Sequence, residues 1–90
     1  MIRKITSGFK FIDNDRIEVR IVDSWGEEVN TTICQYVLSS FDDIRDIYFY
    51  NQLVDDFNAE FDDDLATTIM KMVETIIREY EKVGELVERT

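Results

Sequence analysis

Nine carboxylates fall between Asp42 and Asp64: Asp42, Asp43, Asp46, Asp55, Asp56, Glu60, Asp62, Asp63 and Asp64, against a single base, Arg45. This stretch carries −8 of a net charge of −10. Carboxylates at such density can hold a hard cation, work as an acid–base pair, or meet a basic surface through charge-assisted hydrogen bonds. Aromatic residues are threaded through them (Phe41, Tyr48, Phe49, Tyr50, Phe57, Phe61). The stretch therefore has enough apolar surface to fold instead of remaining a solvated tail.

The first two chemistries lack their accessories. A calcium loop needs several oxygen ligands arranged around a sharp glycine turn. Neither Asp13-Asn14-Asp15 nor Asp62-Asp63-Asp64 is followed by the spacing that would complete one. They read as a hairpin turn and a helix start, and no metal or other cofactor is expected. The chain contains no histidine, which removes the usual acid–base group near neutral pH and every Ser-His-Asp or Cys-His arrangement. No glycine-rich phosphate loop is present. Glycoside chemistry by paired carboxylates requires a deep pocket with one raised pKa, for which ninety residues leave little room. No catalytic residue is expected, and the chain reads as non-enzymatic. Direct binding to nucleic acid or to an anionic membrane is opposed by the charge.

What remains is a basic partner protein, met by the nine carboxylates. The plainer alternative is that they only keep a small domain soluble. Solubility, however, does not require charge to be concentrated, and like charges at i,i+4, such as Asp42 and Asp46, each cost roughly 0.3 kcal/mol in a helix.

The elements that must position these groups follow from the apolar pattern. Ninety residues support a single domain, 1–90, with one core. The absence of proline and the presence of only three glycines suit a few long elements. Phe9 and Phe11, then Ile17, Val19 and Ile21, alternate with polar residues around Asp13-Asn14-Asp15, which is a hairpin signature. Asp23 to Glu27 reads as a second turn, and Val29 to Leu38 as a third strand, giving a three-stranded meander within residues 1–38.

Ser40 suits an N-cap with Asp43 at N3. At about 100° per residue, Phe41, Ile44 and Tyr48 share a helix face, whereas Leu53, Val54 and Phe57 fall opposite. The phase change predicts a break near Phe49-Tyr50-Asn51, hence two short acidic helices, or a helix and a helical turn, in 41–60. Asp62 to Asp64 then open a helix over 63–88, with Leu65, Ile69, Met72, Val73, Ile76, Ile77, Tyr80, Val83 and Val87 on one face. The expected fold class is α+β: a three-stranded antiparallel sheet followed by two short helices and one long C-terminal amphipathic helix. That helix reaches further than a small sheet can cover. The competing function is therefore an interaction or assembly protein that forms a homodimer or binds another partner through the long helix, against a monomer that presents the acids.

Cys34 is the lone cysteine, so no intramolecular disulfide forms. No signal-peptide apolar region follows Arg3 and Lys4, and no stretch approaches the ~18 apolar residues of a membrane span. A cytoplasmic setting is expected.

A strand ending Tyr36-Val37-Leu38-Ser39 leads through about twenty residues of helix to Phe57-Asn58-Ala59-Glu60-Phe61-Asp62-Asp63-Asp64. Over residues 15–65 this order resembles the small acidic phage-encoded anti-CRISPR proteins that inhibit Cas9 by mimicking DNA. The long last helix departs from that pattern. The resemblance implies a phage or mobile-element protein acting in a bacterial host, and a Cas9–guide RNA complex as partner. Its PAM-reading arginines would be occupied by the nine carboxylates. A restriction, repair or nucleoid protein would offer a comparable basic cleft.

Overall fold

The computed structural model describes residues 2–88, except for the side chains of 42–46 and 83–88. Alternating apolar and polar residues form three antiparallel strands, β1 (Arg3–Phe11), β2 (Arg16–Trp25) and β3 (Glu28–Val37), in the order β1-β2-β3. The side-chain period of two sorts them onto two faces. The register aligns Phe11, Ile17 and Tyr36 in one row and Phe9, Val19 and Cys34 in the next. These rows form the inner face, against which the helices pack. The outer face carries Lys4, Lys10, Glu18, Arg20 and Val22, with Val29, Ile33 and Val37 exposed.

The second turn is tighter than expected. Trp25 is the last residue of β2 and pairs with Glu28, leaving only Gly26-Glu27 between the strands. Gly26 has φ 58°. A two-residue loop with glycine at its first position is the turn that matches strand twist, and only glycine takes that φ without steric cost. At the first turn, Asp13 Oδ1 accepts the amides of Asp15 (2.9 Å) and Arg16 (2.8 Å).

Three helical segments follow: a 3-10 turn over Leu38–Ile44, α1 (Arg45–Asp56) and α2 (Asp63–Glu88). The α+β class and the antiparallel sheet are as expected, but the break at Asn51 is not there, and α1 runs through it unbroken. The phase change lies earlier, at the junction of the 3-10 turn with α1. A 3-10 coil turns by about 120° per residue, so it rephases the chain before α1 starts. Phe49 and Leu53 then share the buried face at i,i+4, and Tyr48 is 56% exposed. The Ser40 hydroxyl donates to the Val37 carbonyl at 2.6 Å, inside the 3-10 turn, while the Asp43 half of the expected capping pair lies outside the described side chains.

The end of α1 is set by Asn58, which has φ 55°. The Ala59 amide bonds back to the Val54 carbonyl (2.9 Å) and the Asn58 amide to Asp55 (3.3 Å). These paired bonds form a Schellman motif with asparagine in the left-handed position. Four residues later Asp62 caps α2, its Oδ1 accepting the Leu65 amide at 3.1 Å.

The 26 residues of α2 span about 39 Å. Leu65, Ile69, Met72, Val73 and Ile76 are buried, as the stripe predicts, while Val83 and Val87 lie outside the described side chains. Together with Ile17, Val19, Ile21, Leu38, Phe49 and Leu53 they form one core. Phe49 meets the Tyr36 ring edge-on at 5.3 Å and Phe41 at 5.2 Å. The radius of gyration, 14.2 Å, exceeds the ~12 Å of a compact chain of this length, and the extents are 51 × 20 × 17 Å. No helix among the described residues is long and apolar enough to cross a membrane.

Candidate interaction surface

The fold separates the acidic residues into those that hold the structure and those that face outward. Asp55 and Asp56 occupy the last turn of α1, Glu60 the connection, and Asp63 and Asp64 the first turn of α2. Asp55, Glu60, Asp63 and Asp64 are exposed, and no cation among the described residues pairs with them. Two helix ends meeting at a six-residue connection bring them to one end of the helical layer. The Schellman motif and the Asp62 cap fix the backbone on both sides. The side chains of Asp42, Asp43 and Asp46 lie outside the described residues.

Asp62 and Asp56 are already engaged. The Arg3 guanidinium grips Asp62 with Nη1 at 3.1 Å from Oδ1 and Nη2 at 2.6 Å from Oδ2. It also holds Asp23 through Nε (2.9 Å) and Nη2 (2.8 Å), and it lies 5.2 Å from the centre of the Trp25 ring. One planar cation thus ties β1, β2 and the start of α2 together, an arrangement that only the fork of arginine permits. Arg3 holds the Asp23 and Asp62 carboxyls below the usual carboxylate range, with the Leu65 amide adding to the effect at Asp62. Two carboxylates raise the Arg3 guanidinium further still. Asp56 Oδ2 accepts the Tyr36 hydroxyl at 2.8 Å, and its Oδ1 accepts Gln52 Nε2 at 3.0 Å. Burial first, and this carboxylate second, push the Tyr36 phenol above its ordinary value.

Beside Asp55 and Glu60 lies a shallow open trough of about 780 Å³, lined also by Phe41, Tyr48, Gln52 and Val54. Phe61, between Glu60 and Asp62, is 93% exposed. Carboxylates beside open aromatic faces suit a guanidinium, which can pair with the first and stack on the second.

The other acidic cluster, at Asp13 and Asp15, is turned to internal use. Asp13 Oδ2 accepts Arg16 Nε at 2.6 Å. Asp15 accepts the Ser39 amide (2.8 Å), the Ser39 hydroxyl (2.5 Å) and the Tyr80 hydroxyl (3.0 Å). The Asp15 amide and Arg16 depress the first carboxyl, and the Ser39 hydroxyl chiefly the second. Among the described residues, no group of three or more metal-ligating side chains is gathered.

Arg3, Tyr36 and Asp15 organise the surface, in roles that the sequence pattern did not assign to them. Arg3 left one signal: it shares the parity of Ile5, Phe9 and Phe11. A charge on the apolar face of a strand must find a counter-charge. No protein-family model, curated protein or solved structure matches the chain.

Proposed function

We propose that this chain is a non-enzymatic binding protein whose acidic face occupies the nucleic-acid cleft of a basic protein and so stands in for DNA. The observation that carries this reading is the cluster of Asp55, Glu60, Asp63 and Asp64, exposed and with no cation partner among the described residues, at two capped helix ends beside Tyr48 and Phe61. Other exposed carboxylates, Glu27, Glu28, Glu74 and Glu81, are spread over the second hairpin and along α2, whereas these four are gathered at one end. Solubility alone would not require four acids to be gathered at one end. Fixed carboxylates lose little entropy on meeting arginines, and opposite fields speed the encounter.

The anti-CRISPR resemblance makes guide-loaded Cas9, with arginines that read guanines in its PAM, the first target to test. The experiment is capture from a bacterial lysate on the wild-type chain and on the Asp55→Lys, Glu60→Lys, Asp63→Lys, Asp64→Lys variant, at low and high salt. A DNA-binding protein held by the wild type, released by salt and lost by the variant is expected. Binding that ignores both salt and charge reversal refutes the proposal. Unimpeded DNA cleavage by guide-loaded Cas9 would remove Cas9 as the target and leave other basic clefts.

A further inference from the structure

We propose that β3 is a dimerisation edge, which pairs antiparallel with β3 of a second copy about a two-fold axis at Ile33. The hydrogen-bond phase of the sheet fixes what this edge offers. The Leu38 amide donates to the Asp15 carbonyl at 2.8 Å, continuing the β2–β3 register. In an antiparallel pair the bonded positions alternate, so Tyr36, Cys34, Thr32, Asn30 and Glu28 bond to β2. The amides and carbonyls of Val29, Thr31, Ile33, Gln35 and Val37 therefore point away from the sheet. β2 is the central strand, so nothing within the sheet meets them.

The two edges of the sheet are protected very differently. β1 carries Arg3, Lys4 and Lys10, and α2 packs against it. From Val29 to Val37, β3 has no charge, no proline and no glycine. Proteins that must stay apart usually blunt such an edge. Val29, Ile33 and Val37 are 60%, 46% and 43% exposed, and all of Glu28 to Ile33 is open to solvent on both faces.

A second copy fits this edge better than a charged partner would. The outward-pointing row is symmetric about Ile33, so antiparallel pairing sets Ile33 opposite Ile33, Thr31 opposite Gln35 and Val29 opposite Val37. With the Val37 carbonyl already accepting the Ser40 hydroxyl, the row would make about eight main-chain hydrogen bonds, within the range of a typical specific interface. In a chain of net charge −10, this uncharged run is the long surface that two copies can bring together without like charges in the contact. On the outer face Glu18 offsets Lys10 and Asp13 offsets Arg16, which lowers the positive charge that the two copies bring together. The two α1 helices would share the opposite face, where their acids repel. Added salt should therefore tighten the dimer, the reverse of its effect on a basic partner. The pairing stands independently of the DNA-mimic reading, because it is measured on the chain alone.

The test is analytical ultracentrifugation of the whole chain over a range of concentration and salt. A dimer that strengthens with salt is expected. Ile33→Lys, which sets two ammonium groups at the axis, should raise the dissociation constant at least tenfold with an unchanged circular-dichroism spectrum. In a Cys34→Ser background, Ile33→Cys should form an interchain disulfide under mild oxidation, because facing residues of a bonded pair are ~5.5 Å apart. Thr31→Cys in the same background should not. A wild type that is monomeric at every concentration overturns the proposal. So does a dimer that Ile33→Lys leaves intact, which would place the contact elsewhere, such as on α2, and so does failure of the Ile33→Cys cross-link.

Discussion

Asp55 and Asp56 are adjacent, carry the same charge and are both exposed, yet replacing them should have different consequences. Asp56 receives the hydroxyl of Tyr36, a residue only 8% exposed. Asp56→Ala removes a hydrogen bond to a charged acceptor and leaves the hydroxyl without its partner, a loss of about 2 kcal/mol. Removing a negative charge from the last turn of a helix returns about 0.5 kcal/mol. The net loss of roughly 1.5 kcal/mol corresponds to a fall in Tm of about 6–12 °C for a domain of this size. Asp55→Ala gains the same relief and loses no side-chain bond, so its stability should stay within about 0.5 kcal/mol of the parent. Tyr36→Phe should cost only about 1 kcal/mol, because the exposed carboxylate left behind is rehydrated. The double variant Tyr36→Phe, Asp56→Ala should then be more stable than Asp56→Ala alone. Thermal unfolding followed by circular dichroism measures all four. Equal melting temperatures for Asp55→Ala and Asp56→Ala would refute the division of the acids into structural and outward-facing sets. If the division holds, Asp56 and Asp62 do not belong in a charge-reversal test of binding.

Acid titration gives an independent check. Asp13, Asp15, Asp23 and Asp62 have folded pKa values below their unfolded ones. The unfolded chain therefore takes up protons first as pH falls, so their contribution is complete above about pH 4 and is lost as pH drops through the folded values. Arg3→Gln should flatten this acid limb in urea melts between pH 5 and pH 2; an unchanged slope would contradict the Arg3 contacts. Tyr36 shifts the other way, so its contribution is complete below about pH 10 and declines above it, and Tyr36→Phe should remove that alkaline decline. Phe49→Ala should cost about 3–5 kcal/mol, a large part of the ~5–13 kcal/mol available to ninety residues, and be read as a lower urea midpoint. Asn58→Gly should be neutral or slightly stabilising, whereas Asn58→Val forces a branched side chain to φ 55° and should lower Tm clearly.

The strands and the last helix were legible because their signal is local: Ile17, Val19 and Ile21 alternate, and Leu65, Ile69, Met72 and Ile76 recur at three and four. The Asp62 cap was legible for the same reason. The division of the acidic stretch was not. A helical wheel assumes one pitch throughout, and the 3-10 turn over Leu38–Ile44 violates that before α1 begins. Nor does any local pattern say that Asp62 and Asp56, alike in type to Asp63 and Asp55, are taken by Arg3 and Tyr36. Those partnerships exist only once the sheet and helices are stacked. The nine carboxylates therefore read as one acidic block in the sequence, whereas in the structure two are bound internally, four face outward, and three have side chains outside the described residues.

Two latches, one at the start of β1 and one in the turn before β2, impose an order on biosynthesis. Arg3 waits 59 residues for Asp62, and Asp15 waits 65 for Tyr80. On the ribosome the meander emerges first, with Ile17, Val19, Ile21 and Tyr36 uncovered and the plain edge of β3 available to whatever is near. In the folded chain residues of α1 and α2 cover them, and both helices follow the sheet in sequence. Nascent chains stalled before Tyr80 should be bound by chaperones and cut readily by protease, and chains extended past it should resist. Protection that is complete before α2 has emerged would show that the sheet stands without its latches.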